Sequence, residues 1–187
     1  MKRVGLALVG LGNVGRRFLR LLIEHDDTLR EKYGLAFSVH CAVDSSGVAV
    51  SDDGFDLAHL LEHKGRGLKL RELREFDDGL TLAVALDSVQ CDILLEASPV
   101  DLNTGNPGLS NCRTALDHGL HLVLANKAPL ALAQAELDRL AADVDVGILY
   151  SATFCGGLPV LNIVRRDIVC GKILGFRGIF NATTNFI

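Results

Sequence analysis

The stretch Val4-Gly5-Leu6-Ala7-Leu8-Val9-Gly10-Leu11-Gly12-Asn13-Val14-Gly15 decides the fold. Val4–Val9 is a short apolar run that ends in glycine, as a strand buried on both faces does. Asn13 to about Glu24 reads as a helix with Val14, Phe18, Leu21 and Leu22 on one face. Between them lies G-x-G-x-x-G, with a strand before it and a helix after it, which is the context a dinucleotide-binding loop requires. Gly10 allows the tight turn, Gly12 lets backbone approach a pyrophosphate, and Gly15 lets helix pack against strand. The free N–H groups and the positive end of the helix dipole favour phosphate there.

Outward from this loop the chain alternates. Phe37–Val43 is a second strand, and Asp44 to Gly54 a polar Gly/Ser/Asp-rich loop. Phe55–His63 reads as a short helix, Gly65–Gly79 as exposed and charged, and Leu80–Ala85 as an outer strand. Strands at Asp92–Ala97, His121–Ala125 and Gly147–Tyr150 then alternate with helices at Pro107–His118 and Pro129–Ala142, each opened by proline. This predicts an α/β fold, a doubly wound and mostly parallel sheet. After Tyr150 come a loop of small residues, a helix over Leu158–Val169 and a long strand over Lys172–Ile187. The division is therefore a dinucleotide-binding domain over 1–150 and the start of a second, α+β domain over 151–187.

An acid after the second strand grips ribose hydroxyls in such sheets. Asp44 holds that place, so it joins the expected cofactor contacts. An acid repels a 2′-phosphate, which favours NAD, while Arg16 or Arg17 leaves NADP open. Ligands lie beyond the carboxyl ends of the strands. Three segments emerge there: Ala97-Ser98-Pro99, Asn126-Lys127-Ala128 and 151–157. Ala97 and Ser98 are placed to meet the nicotinamide half. Lys127 is the candidate catalytic residue, an ammonium able to polarise a carbonyl or exchange its proton during hydride transfer.

The formal charge is −4 over 187 residues with 49% hydrophobic content. With no basic stripe, nucleic acid is not an expected partner. No apolar run approaches the roughly 20 residues that span a bilayer, so a cytoplasmic protein is expected. The five cysteines are odd in number and contain no C-x-x-C, which argues against a disulfide framework or zinc ribbon. No histidine spacing requires a metal. Cys155, in a loop ahead of a helix, leaves open a thioester-forming aldehyde dehydrogenase.

Five segments in order resemble homoserine dehydrogenase: V-G-L-G-N-V-G at 9–15, D-S-S-G at 44–47, A-L-D-H-G-L-H-L-V-L-A-N-K-A-P-L-A at 115–131, Y-S-A-T-F-C-G-G-L-P-V-L at 150–161, and G-I-F-N-A-T-T-N-F-I at 178–187. The resemblance implies a Rossmann-type cofactor domain and interconversion of L-homoserine and L-aspartate 4-semialdehyde with NAD or NADP, in threonine and methionine biosynthesis. It places the family's active-site lysine on Lys127, between cofactor and substrate. It places the cofactor loop on Leu11, Gly12, Asn13, Val14 and Gly15, and the small hydroxyl residue on Ser98. Thr153, Gly156, Gly157, Asn181 and Thr183 fall on substrate-side positions, with Thr184 and Asn185 in the same N-x-T-T-N element. Ser151 stands where the family has a cation-binding glutamate, so at most a weak sodium site on the carbonyls of Phe154, Gly156 and Leu158 is implied. The family's substrate domain continues past this last strand, with an acidic pair and a second lysine, and forms the homodimer. A truncated or fragmentary chain is therefore expected, and a non-catalytic cofactor-binding remnant is the other alternative.

Overall fold

The computed structural model describes residues 1–154, 163, 168, 170–175 and 177. The elements, in chain order, are β1 (Lys2–Val9), α1 (Asn13–Glu24), α2 (Asp26–Tyr33), β2 (Leu35–Asp44), β3 (Gly47–Val50), α3 (Leu57–Gly65), β4 (Phe76–Asp77), α4 (Leu82–Ser88), β5 (Ile93–Glu96), α5 (Gly108–Asp117), β6 (His121–Leu124), α6 (Ala128–Asp143) and β7 (Ile148–Leu149). Short 3₁₀ turns lie at Leu70–Glu72 and Ser151–Thr153.

The strands form one sheet in the order β4-β3-β2-β1-β5-β6-β7. β1 pairs in parallel with β2 on one side and β5 on the other. β5–β6 and β6–β7 are also parallel, while β3 and β4 add an antiparallel edge. β1 shows why the sheet is covered on both faces. Val4, Leu6 and Leu8 pack with Leu19, Leu22 and Leu60 on one side. Ala7 and Val9 pack with Leu109, Leu116 and Leu137 on the other. A strand apolar at successive positions has no face to offer water.

Several sequence expectations shift in register or type. The buried positions of α1 are Gly15, Leu19 and Leu22, whereas Val14 and Leu21 are exposed. Gly15 sets this phase. A Cβ there would sit 2.1 Å from the Gly10 carbonyl oxygen, so the helix turns that position toward the strand, and the i, i+4, i+7 stripe follows from it. Gly15→Ala is accordingly expected to cost about 1–3 kcal/mol, because the obstruction is backbone. A thermal melt checks it: the midpoint should fall by about 2–10 °C for a chain this long.

The expected loop over 44–54 contains β3, because Val48-Ala49-Val50 is an apolar run short enough to hide among polar neighbours. The expected strand over 80–85 is instead the start of α4. The Thr81 hydroxyl accepts the Val84 N–H at 3.3 Å, capping a helix whose Ala85 and Leu86 are buried. The 65–79 segment is not simply an exposed charged run: Leu70 is fully buried. The expected helix over 158–169 falls outside the described residues except at 163 and 168; of the expected strand over 172–187, residues 172–175 and 177 are described and are not in a strand, and the rest falls outside the described residues.

Candidate functional site

The chain leaves β1 toward β2 on one side, and the sheet continues to β5 on the other. The carboxyl ends of these strands therefore diverge and open a crevice, the switch point at which ligands bind in such sheets. Gly10 lines it in a left-handed conformation (φ 91°) that a side chain rarely adopts. Its N–H donates to the Val43 carbonyl at 2.9 Å, and a Cβ would lie 2.3 Å from the Ala97 oxygen. Gly10 thus holds the ends of three strands together.

Gly12 differs from the other two glycines of the motif. Its φ is −76°, which any residue adopts, and a Cβ there would meet nothing within 4 Å. It is the N-cap of α1 and makes no side-chain cap bond. Among the described residues nothing requires glycine at this place. Asn13 and Val14 follow it on the exposed first turn of α1, while Leu11 is buried beneath the loop. The cleft over the loop has a volume of about 660 Å³, and its wall also includes Asp44, Ser45, Lys64, Lys69, Ala97, Ser98 and Asn111.

On the β2 side, Asp44 is not a free acid. Its Oδ2 accepts from Lys64 Nζ at 2.5 Å and from the Leu70 N–H at 3.1 Å. Its Oδ1 accepts both the N–H and the hydroxyl of Ser46. The Asp44 and Lys64 side chains are only 7% and 8% exposed, so the pair is shielded from solvent. Burial alone would raise the Asp44 carboxyl. The bonds from Lys64, Ser46 and Leu70 outweigh it and hold the group down at about 2. Lys69 Nζ donates to Ser45 Oγ at 2.7 Å on the exposed rim. Arg16 donates to the Asn13 side chain at 2.8 Å and to the Lys64 carbonyl at 3.4 Å, across the start of α1. The expectation that Asp44 repels a 2′-phosphate took it as a free carboxylate, whereas in the structure it is already paired with the Lys64 cation.

On the β5 side, Ser98 is 9% exposed and donates through both N–H and hydroxyl to one oxygen of Glu96, the last residue of β5. Asn126, almost fully buried, accepts the Ala128 N–H at 3.0 Å on its Oδ1. Its Nδ2 donates to Ser98 Oγ at 3.2 Å and to the Pro99 carbonyl at 3.3 Å. Lys127, the next residue, is exposed at the N-cap of α6. The structure thus gathers Gly10, Leu11, Gly12, Ala97, Ser98 and the Asn126-Lys127 segment at one end of the sheet.

Thr153 is buried, with its hydroxyl bonded to the Tyr150 carbonyl at 2.7 Å. Phe154 follows as the C-cap of that 3₁₀ turn. Cys155, Gly156, Gly157, Leu158, Asn181, Thr183, Thr184 and Asn185 lie outside the described residues. Among the described residues no cluster of three His, Cys, Asp or Glu is placed to hold a metal. Burial pushes the Cys41 and Cys91 thiols up to about 12, which leaves them as packing residues.

Sequence reasoning missed Lys64, Lys69, Glu96 and Asn111, and gave Asn126 only a place in the segment before Lys127 without a role. The signal for Glu96 was present: a carboxylate at the end of the apolar run Ile93-Leu94-Leu95 is a buried charge, and such charges need partners. The lysines gave no comparable signal, because they sit in a charged segment that reads as solvated.

No family model matches the chain. Individual relatives do. A homoserine dehydrogenase of Methanocaldococcus jannaschii is 32% identical over 182 residues, covering 97% of this chain and 54% of the relative. An NAD(+)-dependent homoserine dehydrogenase of Pseudomonas canavaninivorans is 33% identical, covering 100% of this chain and 53% of the relative. Among solved structures, a hyperthermophilic archaeal homoserine dehydrogenase in complex with NADPH superposes with a TM-score of 0.73 at 26% identity, over 88% of this chain and 48% of that one. The homoserine dehydrogenase of Thermoplasma acidophilum gives 0.69 at 25% identity, over 89% of this chain and 49% of that one. The chain spans about half the length of these relatives. In sequence along nearly its whole length, and in fold over nearly nine-tenths of it, the chain is similar to homoserine dehydrogenases, of which it spans about half the length.

Proposed function

We propose that this chain supplies the dinucleotide-binding half of a homoserine dehydrogenase, with NAD(P) over the glycine loop and the domain change near residue 150. The observation that carries this reading is Gly12. Among the described residues nothing fills the space a Gly12 side chain would take, which suits approach of a pyrophosphate to the backbone there. Gly10, Leu11, Asn13, Val14 and Gly15 complete the loop. Ala97 and Ser98 form the wall on the nicotinamide side.

The bound cofactor supplies or accepts the hydride that interconverts L-aspartate 4-semialdehyde and L-homoserine. The protein's part is orientation and charge. Lys127 is exposed at the N-cap of α6, directly after the strand end at β6, and its ammonium is the group assigned to polarise the aldehyde oxygen and to give that oxygen a proton as the alcohol forms. Thr153 contributes to the substrate side, together with Gly156, Gly157, Asn181 and Thr183 by resemblance. Both cofactors fit the adenosine side. Asp44 is neutralised by Lys64, and Ser45 with Lys69 offers a hydroxyl and a cation to a ribose hydroxyl or a 2′-phosphate.

The test is a titration of the chain with NADPH and NADH, followed by its melting temperature and then by reduced-nicotinamide absorbance on adding aspartate 4-semialdehyde. Saturable stabilisation is expected, about 2.7 kcal/mol at a hundred times the Kd. Consumption of the reduced cofactor should depend on the semialdehyde. A chain that neither dinucleotide stabilises would overturn the proposal.

A further inference from the structure

Glu96 is 0% exposed, yet among the described residues no cation lies within ion-pair distance of it. Its carboxylate is held by neutral donors alone. One oxygen accepts from the Ser98 N–H at 2.7 Å, from the Ser98 hydroxyl, and from Asn126 Nδ2 at 3.4 Å. The other accepts from Asn111 Nδ2 at 2.9 Å. The Glu96 backbone carbonyl also takes the N–H groups of Ala125 and Asn126. These donors come from three separate segments: the loop after β5, the loop after β6 and the first turns of α5.

Burying a carboxylate with no counter-ion is costly, and an apolar side chain of the same volume would serve packing at least as well. An acceptor-only group with two oxygens does something an apolar residue cannot, which is to draw several donors to one point. Each segment drawn in borders the cleft. Ser98 and Asn111 are in its wall. Asn126 caps the start of α6 through the Ala128 N–H, immediately beside Lys127. Among the described residues every side-chain hydrogen bond of Glu96 lies on the β5–β6 side of the crevice, away from the Asp44–Lys64 pair on the β2 side.

We infer that Glu96 is a positioning residue for the nicotinamide half of the site, fixing Ser98 and the Asn126-Lys127 segment relative to the glycine loop without touching the cofactor. The inference rests on the proposed dinucleotide site and makes a prediction that a purely structural role does not. Loss of Glu96 should weaken one half of the dinucleotide and spare the other.

The experiment compares NADPH with 2′-phospho-ADP-ribose, which has the same adenosine half and lacks the nicotinamide ring. Affinities are measured by calorimetry on the full chain. Glu96→Leu takes the acceptor from three donors, the Ser98 N–H, the Ser98 hydroxyl and the Asn111 amide, and should raise the NADPH Kd by about tenfold or more while the 2′-phospho-ADP-ribose Kd stays within about twofold. Glu96→Gln should restore most of the NADPH affinity. Its amide keeps one oxygen for Ser98, and half-buried Asn111 can turn its own amide to accept from the new NH₂. If Glu96→Leu does not fold, Asn111→Ala decides: the same one-sided loss, about threefold or more, is expected from removing a single donor. A folded Glu96→Leu chain that binds NADPH like the parent, or loses both ligands equally, overturns the inference. Failure of Asn111→Ala to weaken NADPH selectively overturns it too. A parent chain that binds neither ligand overturns the underlying site instead, so the two failures are distinct.

Discussion

Lys64→Met will destabilise the fold by about 3–5 kcal/mol, because it leaves the Asp44 carboxylate buried without its cation. Methionine keeps most of the aliphatic stem, so what is lost is the charge and two hydrogen bonds, to Asp44 at 2.5 Å and to the Leu68 carbonyl at 2.6 Å. Chemical denaturation at neutral pH measures the gap. Its pH dependence identifies the cause. Asp44 is held at about 2 in the folded chain, below its ordinary value of 3.8. Its stabilisation is therefore fully present above the unfolded value and is lost as pH falls through the folded one. The difference between parent and variant should be full at neutral pH and close as the pH is lowered from about 4 toward 2. A difference that stays constant across that range would assign the effect to packing of the stem. Replacing both partners, as Asp44→Asn with Lys64→Met, should recover part of the loss, since no unpaired charge remains.

On the proposed function, Lys127→Ala is expected to lower turnover of the semialdehyde by about 10²–10⁴-fold, the range general acid catalysis supplies. The side chain is exposed at the N-cap of α6, so its removal leaves no cavity in the core. The melting temperature should stay close to that of the parent chain, and dinucleotide affinity should fall far less than kcat. Steady-state kinetics with the unsubstituted chain as reference separates the two. A variant that keeps more than a third of the parent turnover would remove Lys127 from the proton-transfer role.

The sheet was legible in the sequence where burial leaves a periodic trace. β1, β2, β5 and β6 are apolar runs bounded by glycine, polar residues or proline, and α1 was placed at its observed bounds. Short or edge elements were not legible. Val48–Val50 is too brief to stand out, and Thr81 caps a helix through a single hydroxyl that also suits a strand. The phase of α1 was misread because hydrophobicity was weighed without the constraint at Gly15, where closeness to Gly10 outranks side-chain preference.

The candidate site divides along the same physical line. Gly10, Gly12, Gly15, Ser98 and Lys127 belong to local patterns, a glycine spacing and two strand ends, and a sequence reports local patterns. The state of Asp44 depends on Lys64 and Leu70, which lie 20 and 26 residues away and reach it only after the excursion past α3 folds back. Ion pairs of that kind leave no periodic trace. The acid itself was identified, while its neutralisation, which changes its meaning for a 2′-phosphate, was visible only in three dimensions.

The uncapped start of α1 has a further consequence. Serine or aspartate at an N-cap stabilises a helix by a few tenths of a kcal/mol relative to glycine, and Gly12 offers no side-chain oxygen for that purpose. The conformation at Gly12 admits a side chain and the surrounding space would receive it. The chain therefore forgoes a readily available increment of stability at the one turn where its helix meets the cleft. On the proposed dinucleotide site, selection for the most robust fold and selection for an open anion cradle pull in opposite directions at this residue. An engineer seeking thermostability by cap optimisation would find position 12 an inviting target and would be closing the site by taking it.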